Sequence, residues 1–453
     1  MNLKKGREMR KLLLSMAALP LVIGGLSVSA SADGINILDN IKLKGEIRPR
    51  YENVDDGVAN HSNANAYTAR TKLSVTANLL GVDGLTATIG GISVNNFGSH
   101  EYNTDPAASN AYKDGTKPYA KVLDPQDAMI SNAEINYTVN DTTFHAGRGQ
   151  VNLDNQRFIG TVGWRQLERS YDTLYVANNS IKNLSVLAAW VYGYAGVGGT
   201  TTVDANTVLL HASYKVMPEL KVTVYDYMLA ASGAPTPDDA GGNDTYGIAL
   251  TGNVKLDMAK LSYRAEYAKQ DDATMKIQDT TVAVANGNFK ADAYYYNLDL
   301  GANVNGILAG VNYEFLSGAN ATGTETAFGT PLATGHKFNG WADKFLNTPS
   351  GGLKDFNVRL GYTAKGFGKL LAVYHTFTAD TAGTTVNPMK DANGNVSDDL
   401  GSEFDAVYTN KIPGVNNLTG LLKYADFSKG KVTGFDKDVQ KIWVGLDYKF
   451  AIK

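Results

Sequence analysis

Residues 442–452 read IWVGLDYKFAI, and this stretch indicates the fold of the whole chain. Large apolar side chains occupy every second position from Ile442 to Ile452, and the positions between them include Asp447 and Lys449. A two-residue period means that one face of an extended segment meets an apolar medium and the other face a polar one. The segment is therefore predicted to be a long β-strand with one apolar and one polar face.

The same alternation recurs along the chain, beginning at residues 41–52. Ile41, Leu43 and Ile47 share one face there, and the other face carries charged side chains such as Lys44 and Glu46. About eighteen such segments can be counted, each about ten residues long, a length that suits a tilted crossing of a bilayer. Strands of soluble proteins average about 5–6 residues. Tyrosines also stand near the ends of the apolar faces, where an aromatic girdle would lie: Tyr51, Tyr67, Tyr137, Tyr192, Tyr214, Tyr362 and Tyr448.

Short and long connections alternate between these segments. Residues 140–141 and 305–306 are short links, whereas 97–129, 150–169 and 318–353 are long and polar. Such an alternation is typical of an outer-membrane barrel, and an even strand number lets the last strand close on the first. We therefore predict an all-β chain that forms a transmembrane antiparallel up-and-down β-barrel of about 18 strands, with long extracellular loops and short periplasmic turns.

The first 32 residues are predicted to be a signal peptide. Basic residues between Lys4 and Lys11 precede an apolar stretch from Leu12 to Val28, and the small residues up to Ala32 suit signal peptidase. Cleavage near Ala32 leaves residues 33–453 as one barrel domain, which we expect in the cell outer membrane. The expected partners are outer-membrane lipid, lipopolysaccharide, the barrel assembly machinery, and small anionic or sugar-like solutes.

Composition excludes several other classes of protein. The chain has no cysteine, which rules out disulfide scaffolds and thiol catalysis, and a mean hydropathy of −0.22 argues against a helical membrane protein. Its six histidines are scattered without the spacing of metal ligands. We therefore predict no metal site, no cofactor, no nucleic-acid partner and no enzymatic activity.

Charged residues on the polar faces are the candidates for a pore lining. Arg148, Arg157, Arg165 and Arg169 fall within 22 residues of sequence, and guanidinium groups in a narrow aqueous pore attract anions. They can either form a charged constriction or pair with neighbouring acids to hold a loop inside the barrel. Because Arg148 would fall on the lipid face if the strand continued, we expect a bulge or a strand end at Gly147. The predicted pore-lining set is Arg48, Arg50, Arg70, Lys72, Glu134, Arg148, Asp154, Arg157, Arg165, Arg169, Arg264 and Arg359.

Two tryptophans in the long loops have two possible roles. Trp164 and Trp341 could stack on sugar rings that pass through the pore. Packing between an inserted loop and the barrel wall is the more common role for such residues. Both roles remain open from the sequence.

Three blocks of sequence resemble a known family. Residues 147–166, GRGQVNLDNQRFIGTVGWRQ, and residues 338–349, FNGWADKFLNTP, are similar to blocks of the alginate-export-like family of outer-membrane porins. Residues 371–377, followed by 402–405 and 423–426, form a third similar region. The resemblance implies a monomeric barrel of about eighteen strands, with the electropositive, arginine-lined constriction that the family's polysaccharide-exporting member has. The chain departs from the usual barrel pattern by ending in a lysine rather than an aromatic residue.

Three functions follow as hypotheses. The favoured one is a porin for passive, anion-favouring diffusion of small hydrophilic solutes such as organic or sugar acids. An outer-membrane export channel for an anionic, alginate-like polysaccharide is the first alternative. A secreted or periplasmic all-β enzyme acting on polysaccharide is the second.

Overall fold

The computed structural model describes residues 37–199, 202–229, 243–272, 292–321 and 325–452. The predicted signal peptide, residues 1–32, lies outside the described residues. The described chain contains one short 3-10 helix, Gly335–Lys337, and is otherwise built from strands, turns and loops. None of its helices has the length and apolarity needed to span a membrane.

The described residues form twenty strands. They are β1 (Leu38–Asp55), β2 (Ala64–Leu79), β3 (Leu85–Asn95), β4 (Lys113–Asp114), β5 (Lys117–Pro118), β6 (Asp127–Val139), β7 (Thr142–Gly149), β8 (Ser170–Asn178), β9 (Leu184–Ala195), β10 (Thr202–Met217), β11 (Leu220–Leu229), β12 (Asn243–Lys255), β13 (Ala259–Asp272), β14 (Asp292–Val304), β15 (Ile307–Leu316), β16 (Leu353–Ala364), β17 (Gly368–Thr378), β18 (Asp399–Lys411), β19 (Leu418–Lys429) and β20 (Val439–Ile452).

Eighteen of these strands form one closed antiparallel barrel, as the sequence predicts. Each barrel strand pairs with the next along the chain, and β3 pairs with β6 because β4 and β5 form a separate hairpin. Closure comes from β1 and β20, where Glu46 lies opposite Lys449 and Tyr51 opposite Val444. A closed sheet leaves no unpaired edge, which is the condition for crossing hydrocarbon with strands.

The alternation in residues 442–452 has the predicted structural meaning. Trp443 is fully buried inside the barrel, whereas Val444 is 49 % exposed on the outer face. The outer face carries further exposed apolar and aromatic side chains along the strands, among them Tyr67, Tyr214 and Tyr362. An outer face of this composition fits contact with lipid rather than with water.

The two ends of the barrel differ in their connections. At one end, the turn end, β1 begins, β20 ends, and short links such as 140–141 and 305–306 join neighbouring strands. The other end, the loop end, carries the long connections. Loop 150–169 and the described residues of loop 317–352 fold into the barrel. Phe158 and Phe328 from these loops pack in the interior against inward-facing tyrosines of the wall, including Tyr225 and Tyr295.

Candidate functional site: the barrel lumen

Buried ion pairs attach the two inserted loops to the barrel wall. Arg157 donates to Glu314 on β15 at 2.8 Å and to Asn339 of the second loop at 3.0 Å. Arg165 donates to both carboxylate oxygens of Glu52 on β1 at 3.3 Å and to Asp343 at 2.7 Å. These interactions connect loop 150–169 both to the wall and to loop 317–352.

This arrangement corrects the prediction for Arg157 and Arg165. Their exposed fractions are only 3 % and 6 %, and acidic groups occupy the guanidinium edges. They therefore hold a loop rather than line the pore, which is the other role that the sequence left open. Arg50 and Arg70 are buried in the same way. Arg50 pairs with Asp124, and Arg70 donates to Glu46 at 2.6 Å.

Arg148 is also not in the lumen. The expected bulge or strand end at Gly147 does not occur, because β7 continues to Gly149 without a register shift. Arg148 lies opposite Asp172 on β8, and residues directly opposite in a ladder share one face. That face is the outer one, since Leu174, two residues beyond Asp172, is 45 % exposed. Arg148 satisfies its charge there by a two-point ion pair with Asp172, with both distances 2.7 Å.

Asp154 and Arg169, near the two ends of loop 150–169, attach it to its surroundings. Asp154 lies 3.0 Å from His211 Nε2 and 3.6 Å from Lys221 Nζ, so it connects the loop to β10 and β11. Arg169 donates to the carbonyl oxygens of Gly160 and Pro331 at 3.2 Å, and its guanidinium lies 5.6 Å from the ring centre of a wall tyrosine, Tyr194.

Three tryptophans surround a single lysine at the loop–wall contact. The Nζ atom of Lys423 on β19 lies 4.1 Å from the ring centre of Trp164, 3.8 Å from that of Trp341 and 5.3 Å from that of Trp443. Trp164 also stacks on His336, with centroids 4.7 Å apart. Both tryptophans therefore take part in the packing between the inserted loops and the barrel wall, which is one of the two roles that the sequence left open. Stacking of Trp164 or Trp341 on a sugar ring stays a prediction.

Loop 317–352 makes a tight turn against two carboxylates of β18. The backbone N–H of Trp341 donates to Asp405 at 3.2 Å, and that of Ala342 donates to Glu403 at 2.6 Å. Gly340, with φ of +84°, allows this approach, because a Cβ there would lie 2.3 Å from a carboxylate oxygen of Glu403. Glu403, Asp405 and Lys423 are not among the site residues predicted from sequence. The sequence feature that could have identified them is a charged residue at an inward-facing position of a strand.

The electrostatic state of His336 is set by its surroundings. Its Nε2 lies 2.7 Å from Lys423 Nζ, and its Nδ1 lies 2.6 Å from Asp343. Burial, with the charges of Lys423 and Arg165, lowers the pKa of His336 to about 3. Burial alone would raise the pKa of Asp343, but the charges of Lys441 and Arg165 and the hydrogen bond from His336 outweigh it and hold that pKa well below its usual range. A neutral His336 therefore accepts from Lys423 and donates to Asp343.

The inner wall toward the turn end has a different charge balance. Acidic residues at its inward positions are Asp39, Glu46, Glu134, Glu266, Asp299 and Asp447. Basic residues at inward positions of the same wall are more numerous: Lys42, Lys44, Arg48, Lys72, Lys215, Lys221, Lys255, Lys260, Arg264, Arg359, Lys369, Lys411 and Lys449. The predicted residues Arg48, Lys72, Glu134, Arg264 and Arg359 all lie here.

Several of these basic groups keep a local acidic partner. Arg264 lies 2.7 Å from Glu266, and Arg359 makes a two-point pair with Asp299 at 2.5 and 2.8 Å. Arg48 donates to carbonyl oxygens of loop 150–169, including that of Gly163 at 3.0 Å. The lysines supply most of the remaining positive charge. In the described parts of the chain, no group of three or more His, Asp or Glu side chains is arranged to hold a metal ion.

A polar cavity of about 660 Å³ opens beneath the loops next to β1, β2, β3, β6 and β20. Its lining includes charged, hydroxyl and amide side chains: Lys44, Glu46, Lys72, Ser74, Thr76, Thr88, Asn132, Glu134, Gln150 and Lys449. These side chains can hydrogen-bond to a hydrated polar solute.

Solved structures with a similar backbone are known. OccK9 (OpdG) of Pseudomonas aeruginosa is 14 % identical, with a TM-score of 0.67, over 92 % of this chain and 100 % of that one. OccAB2 of Acinetobacter baumannii is 14 % identical, with a TM-score of 0.66, over 93 % and 100 %. Pseudomonas aeruginosa OpdK, crystallised with vanillate, is 11 % identical, with a TM-score of 0.64, over 92 % and 100 %. Identities this low establish a shared barrel fold and nothing finer.

The comparisons overturn the resemblance to alginate-export-like proteins. The similar structures are Occ and Opd porins of the outer membrane. No family model and no curated protein matches the chain. The blocks at 147–166 and 338–349 instead correspond to the two inserted loops. Within these blocks, the residues that take part in loop attachment are Arg157, Trp164, Arg165, Asn339, Gly340 and Trp341.

Proposed function

We propose that this chain is an outer-membrane channel for the passive diffusion of small hydrophilic solutes, with a preference for anions such as organic or sugar acids. The observation that carries the proposal is the excess of lysine and arginine over acid on the inner wall toward the turn end. In a narrow aqueous passage with low-dielectric walls, fixed charges of one sign concentrate ions of the opposite sign.

The outer face supports the membrane location. Large apolar side chains such as Leu298, Leu360 and Ile452 are more than half exposed there, which would be unfavourable in water. The fold also resembles Occ and Opd porins, one of which was crystallised with vanillate, a small organic anion. Lipopolysaccharide and the barrel assembly machinery are the partners that this location implies.

Current measurements across a planar lipid bilayer test the anion preference. In a KCl gradient, we expect a reversal potential of the sign that indicates a higher permeability for chloride than for potassium. Replacing Lys44 and Lys449 by glutamine should shift the reversal potential toward the equilibrium potential of potassium, because two positive charges of the lumen are lost. Lys431→Gln is the matched control, since Lys431 is 72 % exposed in the loop between β19 and β20.

Two results would reject the proposal. The first is a folded chain, shown by heat-modifiable migration on gels, that carries no current. The second is selectivity for potassium in the unmodified chain. A shift of equal size in Lys431→Gln would instead show that distant surface charge, rather than the lumen wall, sets the selectivity.

A further inference from the structure

The cavity beneath the loops contains one cation and one anion that lack strong charged partners. Within the described residues, no carboxylate lies within 4.0 Å of the Lys44 ammonium group, and no lysine or arginine nitrogen lies within 4.0 Å of the Glu134 carboxylate. His145 approaches Glu134 only to 3.8 Å. The neighbouring charges are already matched: Glu46 with Arg70, Lys72 with Glu168, and Lys449 with Asp447.

The strand register places these two charges on opposite sides of the cavity. The register runs from Lys44 on β1 to Ser74 on β2, then to Gly90 on β3 and Asn132 on β6. Glu134 is two residues beyond Asn132 and therefore on the same face of β6. Three strand spacings separate β1 from β6, roughly 14 Å along the wall, and the two side chains reach across part of that distance. Gly90 has no side chain to fill the space between them.

Hydrogen-bonding groups cover the wall between the two charges. Ser74, Thr76 and Thr88 contribute hydroxyl groups to the cavity. Asn132 donates to Glu134 at 3.3 Å and to Gln150 at 3.3 Å, which fixes the direction of the Glu134 carboxylate. Such a lining can solvate the middle of a polar solute while its ends meet opposite charges.

We propose that this cavity binds zwitterionic solutes of the amino-acid type, with the solute carboxylate at Lys44 and the solute ammonium at Glu134. The inference rests on the proposed channel function and deepens it by naming a solute class. A purely anionic wall lining would repel a solute carboxylate, and a purely basic one would repel a solute ammonium. Glu134 provides the one contact that a simple monoanion cannot use.

Single-channel block by two solutes of similar length tests this assignment. We expect 4-aminobutyrate to reduce the ion current at lower concentration than butyrate does. Glu134→Gln should raise the half-blocking concentration of 4-aminobutyrate by about tenfold, the typical value of one hydrogen bond to a charged group. The same change should leave or improve block by butyrate, and Lys44→Gln should weaken block by both solutes.

Asp299→Asn is the matched control, because it removes an equal charge from the opposite wall without touching the cavity. The inference is wrong if Glu134→Gln shifts both solutes equally, if it shifts neither, or if Asp299→Asn has the same solute-specific effect. A chain that conducts anions but shows any of these results retains the channel function. A folded chain without current contradicts both proposals.

Discussion

Replacing Arg165 by methionine should release loop 150–169 from the barrel wall. Arg165 is buried between Glu52 on β1 and Asp343 of the other inserted loop. Methionine has a similar length but no charge, so both carboxylates lose a charged hydrogen-bond donor. Removing one partner of a buried ion pair typically costs about 3–5 kcal/mol.

The structure favours the lower end of that range. Asp343 keeps Lys441 at 2.8 Å and His336 at 2.6 Å, so it is not left alone. Among the residues that the structure describes, the one charged partner left to Glu52 is Arg50, at 4.0 Å. A cost of about 3 kcal/mol corresponds to a roughly 150-fold rise in the fraction of molecules whose loop is detached, at 1.4 kcal/mol per factor of ten.

Limited proteolysis measures this fraction, because loop 150–169 contains its own trypsin sites. Arg157 and Arg169 are held against the wall in the intact chain and should be cut slowly. In Arg165→Met, cleavage at these positions should be about 100-fold faster, and single-channel current should become larger and noisier. Lys431→Met, in an exposed loop, is the control. Unchanged cleavage and current in a folded Arg165→Met protein would refute the structural role.

Three further predictions concern the same region. Acidification from about pH 6.5 to pH 3 should loosen loop 317–352. In this range His336 of a detached loop takes up a proton, whereas the docked His336, with its pKa of about 3, does not, so protonation favours the detached state. Limited proteolysis should become faster across this range, and a cleavage rate that does not change with pH would contradict the prediction. Gly340→Ala should destabilise the docked loop by roughly 1–3 kcal/mol, because alanine is strained at positive φ and its Cβ would meet the Glu403 carboxylate. Single-channel current noise should therefore rise, and unchanged noise would contradict the prediction. Arg148→Gln should leave the reversal potential unchanged, because Arg148 lies on the outer face. A shift of the reversal potential toward potassium selectivity would show that Arg148 faces the pore.

The strand pattern could be predicted from sequence because it has a direct physical cause. Each residue of a barrel strand faces either lipid or lumen, so the alternation from Ile442 to Ile452 appears without any long-range information. The alternation of short and long links equally reflects the two ends of the barrel. These local signals were sufficient for the strand number and for closure of β20 on β1.

The roles of individual charges could not be predicted in this way. Arg165 and Arg264 are both predicted from sequence to line the pore. Arg165 is buried in the contact between the inserted loops and the wall, whereas Arg264 lies on the inner wall toward the turn end. The difference depends on partners more than 100 positions away, such as Glu52 for Arg165. Arg148 shows the same limit, since the continuation of β7 through Gly147 decides which face it occupies.

The pairing pattern also explains how an acidic chain can have a basic passage. Much of the acid that enters the barrel lies at the loop contact, where Glu52, Glu314 and Asp343 neutralise arginines of the inserted loops. Those acids are therefore unavailable to balance lysines such as Lys44 and Lys215 on the inner wall toward the turn end. Loop attachment and anion preference are thus consequences of one distribution of charge. Weakening the loop contact should expose its acids to the lumen and reduce the preference for anions, even when no lysine of the wall is changed.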